Sequence, residues 1–162
     1  MEPLIQTENS QISLPAFFAS SSGEETFAAG KSLAPLLGAG SIVALKGPLG
    51  AGKTCFVKGI ACGLGIRDEV TSPTYTIVCE YEACTQAGSP MPVYHIDAYR
   101  LKGTGDFSAI GGEDIIFSGG ISLIEWSDRI EGCIPQGALI VDIEISEGGK
   151  RLIRVSVKEG GN

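Results

Sequence analysis

Residues 47–54 read GPLGAGKT, and this stretch decides the predicted fold. It fits the P-loop pattern G-x-x-x-x-G-K-[ST] without a mismatch. In such a loop, glycines expose backbone N–H groups to phosphate oxygens, and the following helix presents its positive N-terminal end to the same phosphates. Lys53 would then contact the β- and γ-phosphates, and the Thr54 hydroxyl would bind Mg²⁺. The sequence therefore predicts a nucleotide site in this loop.

Helix and strand patterns alternate on both sides of the loop, which is typical of an α/β fold. SIVALKG at 41–47 indicates a buried strand that leads into the loop, and KTCFVKGIACGLG at 53–65 indicates the helix that leaves it. Upstream, Ser22 and Glu25 form a candidate capping box for a helix over 21–38. Further strands are expected at QISLPAFF (11–18), SPTYTIVCEYE (72–82), VYHIDAYRL (93–101) and ISLIEW (121–126).

The last part of the chain predicts a β-hairpin, because residues 138–157 alternate apolar and more polar side chains around a Gly148-Gly149 turn. A polar loop is expected at 83–92, and the glycine-rich stretch 102–120 predicts a mobile connection with one short helix. We expect a single domain over residues 1–162. Its predicted fold class is α/β, a P-loop NTPase domain with a mixed, mostly parallel sheet flanked by helices.

Composition narrows the classes of function. The chain has a formal net charge of -7 and therefore lacks the basic surface that binds phosphate backbones. We expect any nucleic acid to be held by another molecule. The five cysteines contain no C-x-x-C pair and His95 is the only histidine, which argues against a zinc cage. The N-terminal stretch lacks the pattern of a signal peptide, and no apolar run is long enough to span a bilayer, so the predicted location is cytoplasmic.

Two carboxylates at predicted strand ends are candidates for the metal site. YHID ends in Asp97 and SLIE ends in Glu125. Magnesium in P-loop proteins usually needs such a carboxylate, directly or through water. Spacing alone leaves open which of the two touches the metal, and either could be a solvated acid at a strand end.

Three other residues have both a functional and a structural interpretation. Thr74 in SPTY is a candidate switch residue near the γ-phosphate, or an ordinary threonine at the start of a strand. His95 is more often a packed or hydrogen-bonded strand residue than a general base. Trp126 could stack near a nucleotide, but filling the core is the commoner role.

Missing motifs favour ATP hydrolysis or an ATP-dependent switch. A Ras-like GTPase would need an N-K-x-D motif and a D-x-x-G switch, and neither string occurs. The runner-up, a stand-alone small-molecule kinase, would usually bring a cluster of arginines to its two substrates, whereas the five arginines of this chain are spread from Arg67 to Arg154.

Four blocks in fixed order resemble one family. GPLGAGKT, SPTYTIV, YHIDAYRL and IEW together are similar to the TsaE (formerly YjeE) proteins, bacterial P-loop ATPases. These proteins are needed to form N6-threonylcarbamoyladenosine at position 37 of tRNAs that read codons beginning with A. The resemblance runs from about Thr26 to the final hairpin. It departs from the family at 102–120, where many members carry a charged helix, and a partner surface there would differ.

The resemblance implies cofactors and roles for individual residues. The cofactors are ATP or ADP and Mg²⁺, with Thr54 and Glu125 as metal ligands. Asp97 and Lys53 would be catalytic, with Asp97 orienting the attacking water or supporting the metal shell. The residues implied in nucleotide binding are Gly50, Ala51, Gly52, Lys53, Thr54, Cys55, Thr26 and Thr74.

The resemblance also implies partners. TsaE-like proteins act with TsaD, which carries the threonylcarbamoyl transfer, and with TsaB, and the ATPase resets or regulates that complex. This chain would then be a slow Mg-dependent ATPase stimulated by its partners, and tRNA would be held only indirectly. Self-association is left open.

Overall fold

The structure is a computed structural model that describes residues 12–71, 77–84 and 88–160. These residues form a seven-stranded sheet in the order β1-β7-β6-β2-β5-β4-β3. The strands are β1 Ala16–Ser20, β2 Ile42–Lys46, β3 Val78–Cys84, β4 Pro90–Asp97, β5 Ile121–Glu125, β6 Leu139–Ile145 and β7 Arg151–Val157. The α-helices are α1 Gly23–Leu33, α2 Lys53–Gly63, α3 Thr104–Ala109 and α4 Gly112–Ile116. Short 3-10 helices span Ala34–Leu36, Ser127–Cys133 and Glu147–Gly149.

The sheet is mixed, with a parallel centre. Strand β2 pairs in parallel with β5 and β6, and β5 pairs in parallel with β4. The hairpin partner β7 is antiparallel to β6, and β1 is antiparallel to β7, so β1 runs in the direction of the central strands. Only β3 and β7 run the other way. The predicted mixed, mostly parallel sheet with a C-terminal hairpin is confirmed.

The central strands are apolar because the sheet is covered on both faces. All five residues of β5 are buried, and so are the first four of β2. Parallel strands between two layers of helices typically show such continuous apolar runs. Helices α1 and α2 cover one face, and α3, α4 and the 3-10 helix at 127–133 cover the other. The carboxyl ends of β2, β4 and β5 meet at one edge, where open α/β sheets commonly bind ligands.

Helix α1 begins at a reciprocal cap. The Ser22 hydroxyl accepts a hydrogen bond from the Glu25 backbone N–H at 3.2 Å, and the Ser21 N–H donates to the Glu25 carboxylate at 2.6 Å. The predicted cap at Ser22 is therefore confirmed. The first bond satisfies an N–H group that the first turn of a helix leaves without an intrahelical partner, and the second holds the residue that precedes the cap.

Two glycines let α1 pack directly on α2. A Cβ on Gly30 would lie 2.1 Å from the Phe56 carbonyl oxygen, and one on Gly59 would lie 2.0 Å from the Phe27 carbonyl oxygen. Backbone therefore touches backbone from both sides of the crossing. Because α2 begins at the P-loop, this contact holds α1 beside the loop.

The stretch 102–120 contains more helix than its sequence predicts. It forms two short helices instead of one, and both are anchored in the core through Phe107 and Ile116. The prediction of one short helix was wrong, because burial of two apolar side chains outweighs the weak helix propensity of a glycine-rich stretch. The mobility of this connection stays a prediction.

The predicted loop at 83–92 is also shorter than expected. Strand β3 continues to Cys84 and β4 begins at Pro90, with Ala83 paired to Met91. Pro90 and Pro92 fit because β4 pairs with β5 only from Val93 onward, so the prolines lie where the strand has a neighbour on one side. Among the described residues, no helix is both long and apolar enough to cross a membrane.

We predict that Gly59→Ala lowers the free energy of unfolding by about 1–3 kcal/mol, because the new methyl group overpacks the contact between α1 and α2. Urea denaturation measures the change. Gly105→Ala is the matched control, since Gly105 is also helical and a Cβ there meets no atom within 4 Å. Equal stability of the Gly59 variant and the wild type would contradict the close packing.

Candidate functional site

The P-loop lies between the end of β2 and the start of α2. Its backbone needs glycine at two positions in particular. Gly47 has a φ of 155°, and a Cβ there would lie 2.5 Å from the Ile143 carbonyl oxygen of β6. Gly52 has a φ of 103° and packs against the Thr26 side chain of α1. The loop is thus in close contact with the C-terminal hairpin and with α1.

The Lys53 ammonium lies inside the loop. Its Nζ donates to the carbonyl oxygens of Gly47 at 2.7 Å and Pro48 at 2.9 Å. The same atom is 3.8 Å from the centre of the Trp126 ring, within the range of a cation–π contact. The residue is only 5% exposed. Phosphate oxygens that enter the loop would compete with these two carbonyls for the ammonium.

Burial and charge act in opposite directions on this ammonium. Burial lowers the pKa of Lys53 from its ordinary value. The carboxylates of Glu125, Asp128 and Asp97 oppose that shift, because negative charge stabilises the ammonium form. The site therefore holds a cation with acids around it, which is an arrangement suited to a bound phosphate and metal ion.

Glu125 links the P-loop helix to the centre of the sheet. The Thr54 hydroxyl donates to Glu125 Oε1 at 2.8 Å, and His95 Nε2 lies 2.5 Å from Glu125 Oε2. Glu125 and His95 are both buried, on the adjacent strands β5 and β4. Both carboxylate oxygens thus have a partner. The expectation that His95 is a packed, hydrogen-bonded strand residue is confirmed.

Asp97 faces the same edge of the sheet. It lies opposite Glu125 in the register of β4 and β5, and its Oδ1 accepts a hydrogen bond from the Tyr99 N–H at 3.0 Å. A cleft of about 370 Å³ joins the two carboxylates to the P-loop. It is lined by Leu49, Gly50, Gly52, Lys53, Thr54, Cys55, Asp97, Tyr99, Glu125 and Trp126.

The donor set suits a magnesium ion that shares its ligands with phosphate and water. A hydroxyl and a carboxylate oxygen, from Thr54 and Glu125, are 2.8 Å apart at the cleft. Both are hard oxygen donors of the kind that Mg²⁺ prefers. Within the described ranges, no cluster of three or more His, Cys, Asp or Glu side chains could hold a metal by itself. The residues therefore fit an ion that keeps several waters, and they do not form an all-protein cage.

A second cleft, of about 290 Å³, lies on the side of the loop that faces α1. Thr26 and Cys55 both line it. The Thr26 hydroxyl is buried and lies 2.7 Å from the Ser20 hydroxyl, while the Cys55 thiol donates to the Gly23 carbonyl at 3.1 Å. Thr26 thus lies beside the loop but outside the cleft that contains the two carboxylates.

Trp126 has a double role. It has a left-handed backbone with φ of 56°, packs against the core beneath α3 and α4, and lines the 370 Å³ cleft. Its ring is 4.9 Å from that of Tyr99. The core role that sequence reasoning preferred is therefore only part of its environment. Thr74 lies outside the described residues.

Arg151 is the residue near the loop that sequence reasoning missed. It begins β7, about one hundred residues after the P-loop in the sequence, and its guanidinium bonds to carbonyl oxygens of Gly50 and Ala51. No local signal indicates this contact. It depends on the order of strands in the sheet.

Comparisons with known proteins identify relatives over most of the chain. The model of the family "Threonylcarbamoyl adenosine biosynthesis protein TsaE" matches residues 20–153. A protein of Treponema pallidum named tRNA threonylcarbamoyladenosine biosynthesis protein TsaE is 39% identical over 137 residues, covering 85% of this chain and 97% of the relative. The protein of that name from Bacillus subtilis is 42% identical over 131 residues, covering 80% and 78%. The crystal structure of Bacillus subtilis YdiB superposes with a TM-score of 0.68 at 32% identity, covering 91% of this chain and 89% of that one.

We predict that His95→Ala lowers the free energy of unfolding by about 3 kcal/mol at neutral pH, because it removes the partner of a buried carboxylate and leaves a cavity. His95→Gln, which keeps a hydrogen-bond donor, should lose less. Urea denaturation of both variants measures the difference. An unchanged midpoint for His95→Ala would show that Glu125 needs no partner at this position.

Proposed function

Because the chain belongs to the TsaE family of tRNA threonylcarbamoyladenosine biosynthesis proteins, we propose that it binds and hydrolyses ATP as a subunit of that pathway. One observation carries the proposal. The P-loop threonine and the carboxylate of Glu125 are in hydrogen-bond contact at 2.8 Å, at the open edge of a parallel sheet. P-loop ATPases require a hydroxyl and a strand-end carboxylate at that place.

The P-loop itself would bind the phosphates. The N–H groups at the start of α2, together with those of Gly50 and Gly52, would hold the phosphate oxygens of ATP or ADP. The Ala51 N–H donates to the Pro48 carbonyl at 3.1 Å, so Ala51 would contribute to the shape of the loop around the phosphates. Lys53 adds a positive charge, and because the residue is buried, its attraction to a phosphate would be stronger than in water. Cys55 and Thr26 would lie along the nucleotide on the α1 side, and Thr74 remains a proposed contact.

The metal would be held by Thr54 and Glu125. When bound, Mg²⁺ supplies positive charge that neutralises the β- and γ-phosphates. The Glu125 carboxylate is oriented for this role by His95, which occupies its second oxygen. Asp97 is the candidate to orient the attacking water, since its carboxylate lines the same cleft and is held by the Tyr99 N–H.

The isolated subunit should be slow. Among the described residues that line the 370 Å³ cleft, Lys53 is the one cation, so the charge that develops on the transferred phosphoryl group has few partners. A partner protein that contributes a cation or orders the cleft would complete the site. We propose that TsaD and TsaB do this, and that ATP hydrolysis resets or regulates their complex.

The tRNA would be held by those partners. A net charge of -7 opposes direct binding to a phosphate backbone, because the electrostatic contribution that dominates such binding is unfavourable here. This chain would then supply nucleotide-driven change alone, for modification at position 37 of tRNAs that read codons beginning with A.

We predict that the two carboxylates fail in different ways. Glu125→Gln should abolish the dependence of ATP affinity on Mg²⁺, because it removes the anionic ligand. Asp97→Asn should keep that dependence and lower the hydrolysis rate by about a hundredfold or more, because it removes the group that orients water. Calorimetry with and without Mg²⁺, beside a phosphate-release assay, separates the two effects.

The control for both variants is Asp142→Asn. Asp142 lies on the neighbouring parallel strand β6, is partly exposed and does not line the 370 Å³ cleft. It should bind and hydrolyse ATP like the wild type. If Asp97 proves necessary for the magnesium effect and Glu125 only for turnover, the two roles must be exchanged.

We predict that TsaD and TsaB together raise phosphate release from the wild type by at least tenfold, since they complete a site that one chain leaves unfinished. The assay is run with and without both proteins and tRNA, beside a panel of nucleoside and sugar acceptors. Stimulation by an acceptor, with a phosphorylated product and no response to the partners, would instead establish a small-molecule kinase.

Gel shifts with the isolated chain should show no tRNA complex at physiological salt.

A further inference from the structure

The guanidinium of Arg151 bonds to the backbone of the P-loop. Its Nη2 donates to the Gly50 carbonyl oxygen at 2.9 Å, and its Nε donates to the Ala51 carbonyl oxygen at 3.3 Å. Its Nη1 donates to the carbonyl oxygen of Gly149, in the hairpin turn. Every acceptor recorded for this side chain among the described residues is a main-chain carbonyl, so no carboxylate neutralises its charge there.

The sheet fixes where this guanidinium lies. Arg151 is the first residue of β7 and is paired on both sides, with Ser20 of β1 and with Ile145 of β6. The same hairpin touches the loop a second time, because a Cβ on Gly47 would lie 2.5 Å from the Ile143 carbonyl oxygen. The hairpin therefore contacts the loop at its beginning, at Gly47, and in its middle, at Gly50 and Ala51.

These bonds determine which way the loop N–H groups point. In a trans peptide unit the C=O and the N–H point in opposite directions. The peptide between Gly50 and Ala51 is held at both ends, since its C=O accepts from Arg151 and its N–H donates to the Pro48 carbonyl at 3.1 Å. In the next peptide, Arg151 holds the Ala51 C=O, so the Gly52 N–H points away from the guanidinium.

We propose that Arg151 is a positioning residue for nucleotide binding, which orders the P-loop amides by holding the carbonyls of Gly50 and Ala51 from outside the loop. It acts through the backbone, by holding two loop carbonyls and contacting no ligand itself. The inference rests on the proposed nucleotide binding by this loop, and it adds a residue from the far end of the chain to that site. The ligand class is a nucleoside di- or triphosphate.

Arg154 provides a matched control on the same strand. It is three residues further along β7, is exposed, and its guanidinium carbon lies 6.0 Å from the centre of the Phe17 ring on β1. Replacing it changes the net charge by the same amount as replacing Arg151. It makes no recorded contact with residues 47–54 in the described part of the chain.

Calorimetric titration with ADP tests the proposal in the wild type, Arg151→Gln, Arg151→Lys and Arg154→Gln, with Lys53→Ala as a non-binding reference. We expect Arg151→Gln to bind about tenfold or more weakly, because two charged hydrogen bonds that order the loop are lost. Arg151→Lys should recover part of the affinity, and Arg154→Gln should match the wild type. Nuclear magnetic resonance order parameters of the Gly50, Ala51 and Gly52 amides, in nucleotide-free protein, should fall in Arg151→Gln alone.

The two measurements separate the possible failures. A wild type that does not bind ADP overturns the proposed function. The order parameters of the loop amides still test whether Arg151 positions the loop. ADP affinity within twofold of the wild type for Arg151→Gln overturns the positioning role. Weaker binding with unchanged amide order also overturns it, since Arg151 would then contact the nucleotide directly. If Arg151→Gln does not fold, the same two readings on Arg151→Lys decide the question.

Discussion

The parallel pairing of β4, β5 and β2 is the constraint on which the rest of the site depends. It places Asp97 opposite Glu125 and Glu125 opposite Leu45, one residue before β2 ends. The P-loop can then bring Thr54 within 2.8 Å of Glu125. A slip of one residue in this register would turn the carboxylate to the other face of the sheet, where helices α3 and α4 pack.

The loop is held by neighbours that are distant in sequence. Helix α1 reaches it through the glycine contacts with α2 and through Thr26, and the C-terminal hairpin reaches it at Gly47 and at Arg151. Glycines in this region therefore serve two purposes. They expose N–H groups within the loop, and they allow other backbones to approach it closely.

Lys53 and Glu125, the two buried charged side chains of the site, both have hydrogen-bond partners. Lys53 bonds to loop carbonyls, and Thr54 and His95 occupy both oxygens of Glu125, which offsets the burial of the ammonium and of the carboxylate. These groups are therefore held in place by contacts within the protein, beside the 370 Å³ cleft. In a chain with a net charge of -7, this arrangement places a buried ammonium at one loop.

Local patterns in the sequence were enough to predict the P-loop, the capped helix α1, the buried strands β2 and β5 and the final hairpin, because each depends on neighbours within a few residues. Asp97 and Glu125 were also found as candidates, since both end strands. Tertiary structure alone decided that His95 bonds to Glu125, that Phe107 and Ile116 anchor the glycine-rich stretch in the core, and that Arg151 holds the loop. His95 and Glu125 are 30 residues apart, and Arg151 is about one hundred residues from the loop. Such contacts exist only once the order and register of the strands bring the segments together, which propensity and periodicity do not encode.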